Sequence, residues 1–239
     1  MVWPVIVAHR GYSARAPENT LAALRMAVDA GVRACECDVR RAADGTIVLI
    51  HDATVDRTSS GTGPVGAFTA AELSNLDAGS WKSEQFAGEP IPTLVQALQL
   101  MHGRGTLVIE LKEDGIAEAV AADVRTAGAE REVVVISFSI TACSDARRVL
   151  PRAPAFWLIG GEKAPDWDAI IDQALEAGLQ GLDVYHGLID EDAATAVHGR
   201  GLSLWAWTVN EPKEARRLAA LGVSAITTDD PVLIAAGLA

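Results

Sequence analysis

Seven residues of this chain have types and spacings that chemistry can use: His9 and Arg10 side by side, Glu36 two positions before Asp38, a lone His51, and Glu110 two positions before Lys112. Positions two apart on a strand share a face, so Glu36 and Asp38 point one way while Cys35, Cys37 and Val39 point the other. Two carboxylates turned into a protein interior repel each other and are costly to bury, and Glu110 would add a third. A divalent cation compensates them most simply. All-oxygen donors favour a hard ion, Mg²⁺ or Ca²⁺, over Zn²⁺, which more often recruits His or Cys. The competing reading pairs Glu36 with Arg10 or Arg40 and leaves Asp38 as a loop cap.

Two imidazoles beside such a centre suit general acid and base work, because histidine titrates near neutrality and each ring nitrogen can donate or accept. Arg10 has a fork geometry that matches phosphate oxygens, and Lys112 adds a point charge. If both cations pair with the same acids instead, no anion site is left.

Positioning these groups requires strands. Short β-branched runs at 5–8, 34–39, 107–111, 133–137, 155–158, 181–184, 203–207 and 225–227 alternate with Ala-rich segments of helical period. That is the pattern of parallel strands with helical crossovers, and eight of them in a chain of 239 residues point to a closed (β/α)8 TIM barrel. An open doubly wound sheet would want a glycine-rich nucleotide loop after the first strand, where His9-Arg10-Gly11-Tyr12 stands instead. Asn19-Thr20 is expected to cap the first helix, with Gly31 ending it. Asn210 and Pro212 should open a later helix that stops at Gly222.

Two features depart from the plain repeat. Asp44-Gly45 between strand-like runs signals a hairpin. If these two are the whole turn, Ala43 faces Thr46 and the ladder sets Asp38 opposite His51. Residues from about 53 to 92, rich in Gly, Ser, Thr and Asp, are too long for an ordinary loop and read as a small insertion into one domain spanning 1–239. In a barrel, the strand C-termini carry the active site, and the seven polar residues fall in that layer.

Composition sets outer bounds. The 49% hydrophobic content supports a sizeable core, and the net charge of −12 argues against nucleic acid or an anionic membrane surface as partner. Cys35, Cys37 and Cys143 make an odd set, expected as free thiols in a reducing compartment. The opening MVWPVIVAHRGYS lacks the pattern of a secretory leader and no run approaches the length of a membrane span, so the expected location is the cytoplasm without a stable membrane anchor.

Taken together, AHRGYSARAPENT, ECDVRRAADGTIVLIHD with DRTSSGTG, then IPTL, IELK, WTVNEP and ITTDDP resemble the glycerophosphodiester phosphodiesterase family from end to end. The resemblance implies a metal-dependent enzyme that hydrolyses a small-molecule glycerophosphodiester to glycerol 3-phosphate and an alcohol, through a cyclic phosphate. It implies a divalent cation, Mg²⁺ or Ca²⁺, on Glu36, Asp38 and Glu110, His9 and His51 as the acid-base pair, and Arg10 and Lys112 on the phosphate. By the same likeness Glu18 and Asn19 build the substrate site from the first loop and Trp207 lines its glycerol side, although Trp207 equally fits core filling. Three rivals stand beside this reading: a Schiff-base aldolase on Lys112, a lysophospholipase D-like enzyme with Phe68, Trp81 and Phe86 as an apolar rim, and a phosphate-binding module without turnover.

Overall fold

The computed structural model describes residues 3–239, leaving Met1 and Val2, at the start of the segment searched for a leader, outside the described residues. Among the described residues, parallel strands β1 (Val5–Ala8), β2 (Ala34–Arg41), β4 (Thr106–Leu111), β5 (Val133–Ser137), β6 (Ala155–Ile159), β7 (Gly181–Tyr185), β8 (Ser203–Trp207) and β9 (Ala225–Thr228) pair in succession. The ring closes where β1 pairs with β9 on one side and with β2 on the other. This is a TIM barrel with one added strand, β3 (Ile47–Leu49), antiparallel to β2.

Helices α1 (Leu21–Asp29), α3 (Leu94–Met101), α4 (Ala117–Thr126), α5 (Ile140–Val149), α6 (Trp167–Glu176), α7 (Glu191–Gly199), α8 (Pro212–Ala220) and α9 (Pro231–Leu238) surround the ring, and the short α2 (Ala70–Leu73) belongs to the insertion. Local signals set their ends. Thr20 caps α1 by accepting from the Ala23 amide, and Thr93 opens α3 with a reciprocal box to Gln96. Gly31 follows α1 at φ +86°, where a side chain would be strained. At α8 the expectation needs correcting: Glu211, not Asn210, is the cap, and it makes no side-chain cap bond. Asn210 is engaged elsewhere, as described below.

Strand alternation divides the molecule into two layers. Cys35, Cys37, Val39, Ile109, Leu111, Leu182 and Val184 face outward into one large core beneath the helices. Val7, Ala34, Val108, Val134, Phe156 and Ala225 face inward and fill the barrel, closed by Trp205 stacked on Phe156 at 4.2 Å between ring centroids.

The hairpin register also differs from expectation. Val39 pairs with Leu49 and Arg41 with Ile47, and the Ile50 amide donates to the Asp38 carbonyl, so Ile50 rather than His51 sits opposite Asp38. The cause is a three-residue loop. The Gly45 amide donates to Ala42, closing a turn, and Gly45 then adopts φ +87° before Thr46 pairs back to Ala42. After β3 the chain folds into a small body with its own apolar cluster of Val55, Val65, Leu73, Ala78 and Ile91 against Val48 and Ile50. It returns beside β3, where the Leu49 amide donates to the Pro92 carbonyl. Cys35, Cys37 and Cys143 are buried free thiols, and no helix among the described residues is long and apolar enough to cross a membrane.

Candidate active site

The first loop shapes one wall of the barrel mouth through two unusual backbones. Arg10 takes φ +54° and Asn19 φ +58°, a region that costs a side-chain-bearing residue energy, more for arginine than for asparagine. Gly11, between them in the fold at φ +77°, packs directly on α1, where an added Cβ would lie 2.5 Å from the Ala23 carbonyl carbon. The strain is repaid locally. The Arg10 amide donates to Glu36 Oε2 at 2.8 Å, and the Asn19 side chain both donates to Asp38 Oδ2 at 2.7 Å and accepts from the Asp38 amide at 3.0 Å.

Glu36, Asp38 and Glu110 converge as inferred from their spacing. All three are buried, and one carboxylate oxygen from each lies within 4.8 Å of the others. Burial, then the charges of Asp38 and Glu110, push Glu36 well above the ordinary carboxylate range. Burial and Asp38 push Glu110 up to about 7 against the opposing pull of Lys112. Asp38 is also disfavoured by burial, yet Arg10, Lys112, His51 and the Asn19 hydrogen bond hold it below its ordinary value. Among the described residues Glu36 Oε1 and Asp38 Oδ1 have no hydrogen-bond partner, although Lys112 Nζ lies 3.4 Å from the latter. Orphaned carboxylate oxygens in a converging oxygen-only cluster are the donor set a hard divalent cation requires, so these residues can hold one.

The basic residues answer the competing reading in part. Arg10 Nη1 donates to Glu18 at 2.7 Å and Nε lies 3.1 Å from Asp38 Oδ2; Lys112 Nζ donates to Glu110 at 2.6 Å and lies 3.4 Å from Asp38. Arg40 instead bonds the His51 carbonyl and faces Glu113, so it does not neutralise Glu36. The two cations thus pair with Glu18, Asp38 and Glu110, leaving Glu36 without an ion pair among the described residues, although the Arg10 amide and charge favour its ionised form. The amine of Lys112 is engaged by two carboxylates, an arrangement that disfavours it as the nucleophile of an aldolase.

Each histidine is oriented by an aspartate. His9 Nδ1 bonds Asp229 at 2.7 Å, and His51 Nδ1 bonds Asp52 at 2.6 Å. Burial opposes ionisation of Asp229, but the bonds and charge of His9, with Asn210 and Ser13, bring it down to about 2. Asp52 is held far below its ordinary range, chiefly by Arg57. Both aspartates are therefore acceptors, which places the ring proton on Nδ1 and leaves Nε2 free. Burial, reinforced by Arg10 and Lys112, keeps His51 below the ordinary imidazole value although Asp38 and Asp52 pull upward.

A cavity of about 180 Å³ at the strand C-termini is lined by His9, Arg10, Glu36, His51, Glu110, Lys112 and Trp207, with Ile136, Phe138, Leu158, Asp183, Thr208 and Thr227. Asp38, Glu18 and Asn19 stand behind this lining. Glu18 bridges Arg10 to Arg57, which in turn grips Asp52, so one ionic chain runs from β1 through the insertion to His51. In the insertion, Phe68 and Phe86 are half-buried and Trp81 is exposed.

Comparison with known proteins agrees with this geometry. The sequence profile of the glycerophosphoryl diester phosphodiesterase family matches residues 9–233. The chain belongs to that family. A glycerophosphodiester phosphodiesterase of Caldanaerobacter subterraneus is 34% identical over 233 residues, covering 95% of this chain and 94% of the relative. A phosphodiesterase of Oleispira antarctica, solved in complex with its product sn-glycerol-3-phosphate, superposes with a TM-score of 0.89 at 30% identity, over 99% of this chain and 97% of that one. A glycerophosphodiester phosphodiesterase of Agrobacterium tumefaciens gives 0.84 at 31% identity, over 98% and 99% respectively.

Several members of this site gave little sign of themselves in the sequence. Asp229 and Asn210 lie in the ITTDDP and WTVNEP motifs, yet only closure of the barrel brings Asp229 to His9, 220 positions away. Arg57 sits in DRTSSGTG, where its two carboxylate partners are not visible. Asp183 is a single acid in an otherwise apolar strand.

Proposed function

We propose that this family member hydrolyses glycerophosphodiesters to glycerol 3-phosphate and an alcohol. The supporting observation is the convergence of three buried acids, two aspartate-oriented histidines and two basic residues on one small cavity. Glu36, Asp38 and Glu110 would hold Mg²⁺ or Ca²⁺, which supplies electrophilic help to the phosphate and lowers the cost of ionising the neighbouring glycerol hydroxyl. Arg10 and Lys112 bind phosphate oxygens as charge builds on them. Through their free Nε2 atoms, one of His9 and His51 takes the proton of the attacking glycerol hydroxyl and the other protonates the departing alcohol. A cyclic phosphate forms, and water opens it to glycerol 3-phosphate. Glu18 and Asn19 act on substrate indirectly, by holding Arg10 and Asp38 in place, and Trp207 covers the glycerol side.

The charge of −12 disfavours nucleic acid as the substrate, and three free thiols favour a reducing compartment such as the cytoplasm, where the enzyme would serve glycerol and lipid metabolism. The test is release of glycerol 3-phosphate from sn-glycerol-3-phosphocholine, abolished by chelator and restored by Mg²⁺ or Ca²⁺. Turnover of lysophosphatidylcholine at a comparable rate would favour the lysophospholipase D-like alternative. Binding without product would favour the non-catalytic one.

A further inference from the structure

One acid in the cavity has no part in the chemistry above. Asp183 alternates on β7 with Leu182 and Val184, which face the outer core, so its side chain enters the barrel. It is 1% exposed, lines the cavity, and neither carboxyl oxygen has a hydrogen-bond partner among the described residues. The cation cluster does not account for it, since the converging set is Glu36, Asp38 and Glu110. Neither neighbour by register, Leu158 or Trp205, hydrogen-bonds its side chain among the described residues. A buried carboxyl without partners is destabilising and is kept where a ligand completes it.

Position says which part of a ligand that is. In the ring order, β7 lies four strands from β2 in either direction, so Asp183 faces the wall carrying Glu36 and Asp38 across the barrel. A substrate whose phosphate lies near Arg10 and Lys112 projects its glycerol toward the opposite wall. Trp207 leans over this end, its Nε1 donating to the Asp183 carbonyl at 3.0 Å, and the stacked Phe156 and Trp205 close the floor.

We propose that Asp183 binds the free primary hydroxyl of the substrate's glycerol and thereby selects deacylated diesters over lysolipids, in which that oxygen is esterified. A hydroxyl both donates and accepts, so it satisfies the carboxyl in either ionisation form. This rests on the phosphodiesterase reading and names its specificity determinant. A site built to bond a hydroxyl discriminates against a ligand lacking it, because the buried polar group is left unpaired.

Two measurements separate this from the reading beneath it. Calorimetry would compare binding of sn-glycerol-3-phosphate with its analogue carrying a methyl in place of the terminal CH₂OH, for wild type, Asp183→Leu and Asp183→Asn, each checked for folding by circular dichroism. Wild type should prefer the hydroxyl-bearing ligand by about 10–100-fold. Asp183→Leu should lose that preference while holding Mg²⁺ or Ca²⁺ as wild type does, and Asp183→Asn, which retains a hydrogen-bonding side chain, should keep part of it. Equal wild-type binding of the two ligands, or undiminished preference in Asp183→Leu, overturns the assignment; so does weakened metal binding in Asp183→Leu, which would make Asp183 a cation ligand. Turnover of glycerophosphocholine by wild type is scored separately, and its absence would count against the phosphodiesterase reading while the binding comparison still judges Asp183.

Discussion

The barrel mouth has two unlike halves. From β1 to β4 it carries Arg10, Glu36, Asp38, Glu110 and Lys112, with His51 arriving from the end of β3; from β5 to β8 it carries Ile136, Phe138, Leu158 and Trp207, with Asp183 the one acid among these. The charged half is internally overdetermined: nearly every group bonds to another, and the Arg57–Glu18–Arg10 chain ties the insertion to the first loop. The aromatic half is looser, with Phe138 about 49% exposed and meeting Trp207 edge to face at 5.4 Å. The contrast suits a diester with an anionic centre and an uncharged glycerol arm. On the proposed reading, chemistry belongs to one wall and fit to the other.

The largest effects should come from disarming the charged wall. Chelation, or Glu36→Gln, should lower turnover on the order of 10³-fold or more, since a bound cation supplies several kcal/mol of transition-state stabilisation. Restoration by added Mg²⁺ or Ca²⁺ should work for the chelated wild type and fail for the variant. His9→Ala and His51→Ala should each cost roughly 10²–10⁴-fold in kcat with circular dichroism unchanged. Near-normal turnover in either would remove that histidine from the chemistry and break the division between the halves.

Asp229→Asn sharpens the same division at smaller amplitude. An amide at 229 can donate to His9 Nδ1, moving the ring proton to the nitrogen that faces the cavity, and kcat should fall roughly 10–100-fold with metal affinity unaltered. The aspartate has a second signature. Its value in the fold, about 2, lies below its ordinary 3.8, so its contribution to stability is complete above pH 3.8 and is lost as the pH falls toward 2. Thermal melting across that window should decline more steeply for wild type than for Asp229→Asn.

Much of the charged wall was legible because its residues come in short motifs on strands whose alternation is simple: Glu36 and Asp38 share a face whatever the rest of the chain does. The eight strands were legible for the same reason, as β-branched runs between amphipathic segments. The hairpin register was not. Asp-Gly suits a two-residue turn as well as the last two positions of a three-residue loop, and the single-residue difference moves Ile50 opposite Asp38 in place of His51. His51 still reaches the cavity because the chain leaves β3 there, where the Arg40 guanidinium holds its carbonyl. Asn210 read as a helix cap since that is what asparagine before Glu-Pro most often does; its side chain instead bonds the Asp229 amide and carboxylate, a partnership that requires β8 and β9 to be neighbours. Asp183 could be placed near a strand end but given no role, for a different reason. One acid in a strand carries no spacing signal, and only its burial without partners distinguishes it.

The smallest effect belongs to the aromatic wall and tests whether it truly contributes only fit. Trp207 touches Phe138 and Tyr185 and spends its indole N–H on the Asp183 carbonyl, so it has no spare polar atom for the reacting phosphate. Trp207→Leu keeps an apolar cover but loses ring area and that hydrogen bond, changes worth about 1–2 kcal/mol together. The expectation is a KM for glycerophosphocholine raised roughly 5–30-fold, with kcat within a few-fold of wild type, because an interaction equally present in ground and transition states alters binding alone. A fall in kcat at unchanged KM would show instead that Trp207 acts on the transition state, and the two walls could no longer be assigned separate tasks.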